Sequence, residues 1–206
     1  MTVQVMTLCE RSITMINIDA KSVIETRIAE SMGVDKYKKI MDWVRTTDVS
    51  SDREFQRTFN SFYRVRRNEE WRRAYYNLFE EVKNSKPSFE YIIRTMYKET
   101  GNIEASFSSK MIATIDPNMP IWDRYVMQNL CMELKGKTKE DQLDCAVRLY
   151  EQMLAWYGDF LKTVNGRDCI AEFDKTLPGY TWMSDVKKID FYLWSIRVSI
   201  AICRGE

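Results

Sequence analysis

The 206 residues carry 31 basic and 30 acidic side chains and no histidine. A formal charge of +1 excludes a nucleic-acid binder that relies on overall basicity, so any such role must rest on a local patch. The missing imidazole excludes Ser-His-Asp and Cys-His catalysis, His-ligated metals and imidazole proton shuttles, which leaves Lys, Asp, Glu, Tyr, Cys and Ser for any chemistry. The opening "MTVQVMTLCERS" has no basic stretch followed by an apolar one, and no run reaches the ~18–20 apolar residues of a membrane span. The expectation is a soluble, cytoplasmic protein. Five scattered cysteines with no C-x-x-C pair predict reduced, mostly buried thiols and no cysteine-built metal site.

In chain order, "MTVQVMTL" reads as a helix or a short strand, and "DAKSVIETRIAESMG" and "VDKYKKIMDWVRTT" as amphipathic helices. "SSDREFQRTFNSFYRVRR" predicts a helix capped by Ser50 or Ser51, with Phe55, Phe59 and Phe62 on one face. "NEEWRRAYYNLFEEVKN" starts at Asn68 and stops near Asn84, and "PSFEYIIRTMYKETGN" ends at a C-cap glycine, Gly101. "IEASFSSKMIATID" closes at Pro117, and "PIWDRYVMQNLCMEL" places Pro120 at its first helical position. The longest segment runs from the cap Thr138 to about Gly166, with Leu143, Val147, Tyr150, Leu154, Tyr157 and Leu161 as its core stripe. A short helix, "RDCIAEFDKTLP", follows, and Ser184 caps the last segment. The prediction is a compact all-α multi-helix domain over 1–206, with 1–48 its least defined part.

Two stretches carry candidate chemistry. Between Arg53 and Arg73, seven arginines face three glutamates and alternate with Phe55, Phe59, Phe62, Tyr63 and Trp71. Arginine forks suit phosphate, and interleaved aromatics can stack bases. The competing account puts the aromatics in the core and pairs the arginines with glutamates on neighbouring turns. The second stretch is "SFSSKMIATIDPNMPIWDRYV", with Lys110 inside a helix among Phe107, Met111 and Ile112, and Asp123 in the first turn of the next. A lysine acts as a nucleophile only when burial or nearby positive charge lowers its pKa. A helix start keeps an aspartate ionised, able to stabilise positive charge developing on a sugar. The plainer reading is a solvated lysine and a capping aspartate.

"ETGNIEASFSSKMIATIDPNMPIWDRYV", residues 99–126, resembles the central segment of the helix-hairpin-helix DNA glycosylase superfamily, in particular small bacterial proteins with an 8-oxoguanine-glycosylase-like fold. The matching features are Gly101, "ASFSS", Lys110, "MIATI" and "PNMPIWD". The resemblance implies an all-α fold that grips DNA by a hairpin and flips a base into a pocket. It implies that Lys110 attacks the sugar to release a damaged base, that Asp123 assists, and that Phe107 and Trp122 line the base pocket. Gly101 and Asn102 would form the DNA-binding hairpin, with Arg57, Arg64, Arg66 and Arg67 on phosphate. The chain departs from the family in two places. Only Gly101 remains of the Gly-x-Gly turn, and the family lysine falls near Glu104 or Ala105, more than a helical turn before Lys110.

Three functional readings follow. The first is a DNA glycosylase-like enzyme without metal or organic cofactor. The second is a catalytically inactive helical module that binds nucleic acid or protein. The third is a helical domain with no nucleic-acid role.

Overall fold

The structure, a computed structural model, describes residues 16–25 and 33–196. The segment "MTVQVMTL", residues 26–32 of the helix expected over 19–33, and residues 197–206 lie outside the described residues. Ten α-helices account for the regular structure, and no strand occurs among the described residues. They are α1 (Ala20–Val23), α2 (Val34–Trp43), α3 (Arg53–Tyr63), α4 (Glu69–Val82) and α5 (Phe89–Thr100). After them come α6 (Ala105–Ile115), α7 (Arg124–Asn129), α8 (Lys139–Phe160), α9 (Val164–Thr176) and α10 (Asp185–Ser195). A single 3-10 turn, Pro178–Tyr180, links α9 to α10.

Most boundaries follow from local capping. Asn68, Ser88 and Ser184 each accept a backbone amide of the following turn, and Thr138 forms a reciprocal capping box with Asp141. Gly101 ends α5 in the left-handed region at φ 69°, where a side chain would be strained. Three expected boundaries move. Asp52, rather than Ser50 or Ser51, caps α3, because both serine hydroxyls donate to Asp48. Pro120 does not open α7: the Ile121 amide donates to Asp190 and the Trp122 amide to Ser109, so the chain stays extended until Asp123. The long helix stops at Phe160, because Thr163 bonds back to the Phe160 carbonyl and caps a separate α9 that contains Gly166.

In packing, α2 lies on α3, α4 on α5, and α5 on both α6 and α8, while α10 contacts α7 and α9. The Ile18 amide and carbonyl bond reciprocally to the Asn165 side chain, each at 2.8 Å, which ties the first described segment to α9. Buried side chains form one connected cluster from Ile18 to Leu193. Phe59 is its aromatic hub beneath the arginine run, with Tyr75, Tyr76 and Phe79 centroids within 5.9 Å. On α8 the buried face is broader than the expected stripe. Leu143, Tyr150 and Tyr157 are buried, Val147, Leu154 and Leu161 only partly, and Leu149, Met153, Trp156 and Phe160 join them. Cys145 and Cys169 are buried free thiols, whereas Cys131 is disulfide-bonded, a departure from the expectation of reduced thiols. No helix among the described residues is long and apolar enough to cross a membrane.

Candidate active site

The helix α6 brings polar groups into the core. Ser108, Ser109 and Thr114 are fully buried, and Thr114 returns its hydroxyl to the Lys110 carbonyl at 2.7 Å. Its C-terminus is fixed by Arg45, whose guanidinium donates to the carbonyls of Ile115 and Lys83. Lys110 is held on this rigid helix with its ammonium 4.8 Å from the Phe107 ring centroid and 5.9 Å from that of Tyr63. It also donates to the Tyr63 carbonyl at 3.4 Å. Burial pushes the Lys110 amine down to about 8, reinforced by the positive charges of Lys187 and Arg64 and opposed by Asp123.

Asp123 is the N-cap of α7, where its carboxylate accepts the Tyr125 amide at 2.8 Å. Asp123 is thus the cap of the plainer reading, and its charge also acts on Lys110. The fold does bring the two predicted residues into one electrostatic neighbourhood.

Two residues that sequence reasoning passed over complete the cluster. Lys187 and Asp190 lie one turn apart on α10, at 5% and 4% exposure. The Lys187 ammonium is ringed by Tyr37, Phe62, Tyr63 and Phe191, with centroids 4.8–6.0 Å away, and stands 3.9 Å from Asp190 Oδ2. Burial drives the Lys187 pKa down, against the pull of Asp190 and Asp123. It pushes the Asp190 carboxyl up to about 6, offset by Lys187 and by the Tyr157 hydroxyl, which donates to Oδ1 at 2.5 Å. Asp190 Oδ2 has no hydrogen-bond partner among the described residues. The signal was present in "SDVKKIDFYLW": Val186, Ile189 and Leu193 define the buried face, and Asp190 falls beside them. A charge at a core position is the feature to look for.

The other predicted residues divide. Phe107 lies beside the Lys110 ammonium and packs edge-on against Trp71 at 4.9 Å. Trp122 instead stacks in the core on Phe89, which itself stacks on Tyr150 at 3.9 Å. Gly101 and Asn102 are exposed, but their amides are engaged within the turn, with the Tyr97 carbonyl and the Thr100 hydroxyl. Arg67 turns inward to the buried carboxylate of Glu104 at 2.8 Å, which also accepts the Trp71 indole N–H at 3.0 Å. Arg64, the left-handed C-cap of α3 at φ 54°, and Arg66 are exposed and unpaired among the described residues. Arg57 lies apart from them, in a groove of about 530 Å³ between α3 and α4.

The site offers one half-buried amine and one sealed amine whose pKa values are lowered by burial, one capping carboxylate, and one buried carboxyl whose pKa is raised. That set can supply a nucleophile and charge stabilisation. Among the described residues no three carboxylates or cysteines converge to hold a metal ion. Compared with known proteins, the chain matches no family model, no curated protein and no solved structure.

Proposed function

We propose that the protein is a DNA glycosylase-like enzyme in which Lys110 is the nucleophile. What carries the reading is the Lys110 amine itself, half-buried between Phe107 and Tyr63, with its pKa brought to about 8 and Asp123 in electrostatic contact. About a tenth of such an amine is neutral at pH 7, against well under a thousandth for a solvated lysine. The neutral nitrogen attacks C1′ of the nucleotide, and the C1′–base bond breaks with its electron pair leaving on the base. One proton passes from nitrogen to the departing base and a second to the ring oxygen as the C1′–O4′ bond breaks, which leaves an imine between Lys110 and C1′. Asp123 stabilises the positive charge that builds on the sugar. Lys187 and Asp190 hold the electrostatic balance behind these two, and Phe107 offers the face on which a displaced base can stack.

Borohydride reduction on duplexes carrying 8-oxoguanine or an abasic site tests the reading. A covalent adduct that forms with the native protein and is lost in Lys110→Ala supports it. An adduct that persists in Lys110→Ala assigns the chemistry to another amine, and the absence of any adduct removes the nucleophile.

A second reading, a nucleic-acid-binding module without base release, is favoured by one observation. Six of the seven arginines between Arg53 and Arg73 find no carboxylate partner among the described residues, contrary to the account that pairs them with neighbouring glutamates. Salt-dependent DNA binding without adduct formation would select it.

A further inference from the structure

The arginine run separates into two sets with different surroundings. Arg64, Arg66 and Arg67 occupy the end of α3 and the segment that follows, beside Tyr63 and Glu104. Arg53 and Arg57 from α3, and Arg72 and Arg73 from α4, converge instead on the groove between the two helices. None of these four makes an ion pair or side-chain hydrogen bond among the described residues. The groove has one carboxylate, Glu69, in its lining, which leaves it strongly positive. Asn60 adds a donor, since its amide oxygen already accepts the Tyr76 hydroxyl at 2.7 Å and its NH2 group remains for the groove.

We infer that this groove is a phosphate-binding track that seats consecutive phosphates of a nucleic-acid strand. The geometry suits that ligand better than a small apolar molecule. Small-molecule sites are enclosed, whereas this groove is open and walled by exposed or half-exposed polar and charged side chains. Arg53 and Arg57 are separated by one turn, so their guanidiniums extend from one helix face about 6 Å apart at the Cβ atoms. Arg72 and Arg73 line the groove from the facing helix, so forks from both helices meet in one groove, each able to hold a phosphate oxygen pair. Four guanidiniums with no ion-pair partner among the described residues, and one carboxylate in the groove lining, are a local excess of charge that a net charge of +1 conceals.

The inference rests on the nucleic-acid part of the reading above and not on Lys110 chemistry. The test measures anisotropy of a labelled oligonucleotide, single-stranded and duplex, from 50 to 300 mM salt. The proteins are the native chain, Arg57→Gln/Arg72→Gln in the groove, and Arg148→Gln/Lys139→Gln on α8, which removes the same charge elsewhere. The groove variant is expected to bind about tenfold more weakly or worse at low salt, with its log–log salt slope reduced by about two, while the α8 variant stays within about twofold of native. Equal losses in the two variants, or no loss in the groove variant, overturn the inference. Pyrophosphate serves as the small-phosphate probe: binding of pyrophosphate to the groove without binding of either oligonucleotide overturns the strand assignment. A native protein that binds through the groove yet gives no borohydride adduct sinks the glycosylase reading and leaves the track standing.

Discussion

The lysine cluster and the arginine groove place positive charge in opposite surroundings. Lys187 and Lys110 are carried into the protein among Tyr37, Phe62, Tyr63, Phe107 and Phe191, where losing water disfavours the charged amine. The groove arginines stay in contact with solvent and keep their charge. An amine under desolvation costs the fold stability, while surface guanidiniums with no ion-pair partner among the described residues cost it little. Arg67 marks the border between the two, since it starts in the exposed run and ends on the buried Glu104.

That border is where the comparison breaks most sharply. Glu104→Ala leaves the Trp71 indole N–H without an acceptor and Arg67 without its partner, and should lower unfolding free energy by about 2–4 kcal/mol in urea titrations. A loss below about 0.5 kcal/mol would show that Arg67 belongs with the solvated set.

The next effect has the opposite sign. Lys110→Met removes a cation that folding disfavours, so it should raise stability at pH 7 by roughly 2 kcal/mol. The same group sets a pH dependence. Between about pH 8 and the unfolded value of about 10.4, the unfolded chain holds a proton on Lys110 that the folded chain has released, so native stability rises with pH across that window. In Lys110→Met this rise should shrink, which thermal denaturation at pH 7.5, 8.5 and 9.5 would read directly.

The smallest effect belongs to the groove. Arg57→Gln/Arg72→Gln breaks no ion pair or side-chain hydrogen bond among the described residues, so unfolding midpoints should move by no more than about 0.5 kcal/mol. A larger loss would mean that the groove serves the fold.

What the sequence disclosed follows the range of the forces involved. Caps such as Asn68, Thr138 and Ser184 act within one turn, and they were legible. The start of α7 was not, because the Ile121 and Trp122 amides are claimed by Asp190 and Ser109, 69 and 13 residues away. The break between α8 and α9 depends on Thr163 turning back to Phe160, a choice that apolar periodicity does not register. Lys110 and Asp123 could be picked out by residue type, but Lys187 and Asp190 acquire their meaning only when α10 packs against Tyr37 and Tyr63. The arginine run was visible as a cluster, yet its division into an inward residue and an open groove depends on the α3–α4 pairing.

The most direct measurement is the titration of the Lys110 amine itself. Reductive methylation with a carbon-13 label gives one NMR signal per lysine, and the resonance absent from Lys110→Arg identifies this one. A midpoint at about 8, well below the value of about 10.4 for solvated lysines, is the result predicted for a desolvated nucleophile. A midpoint among the solvated lysines would contradict the account, since Lys110 would then be an ordinary cation between two helices.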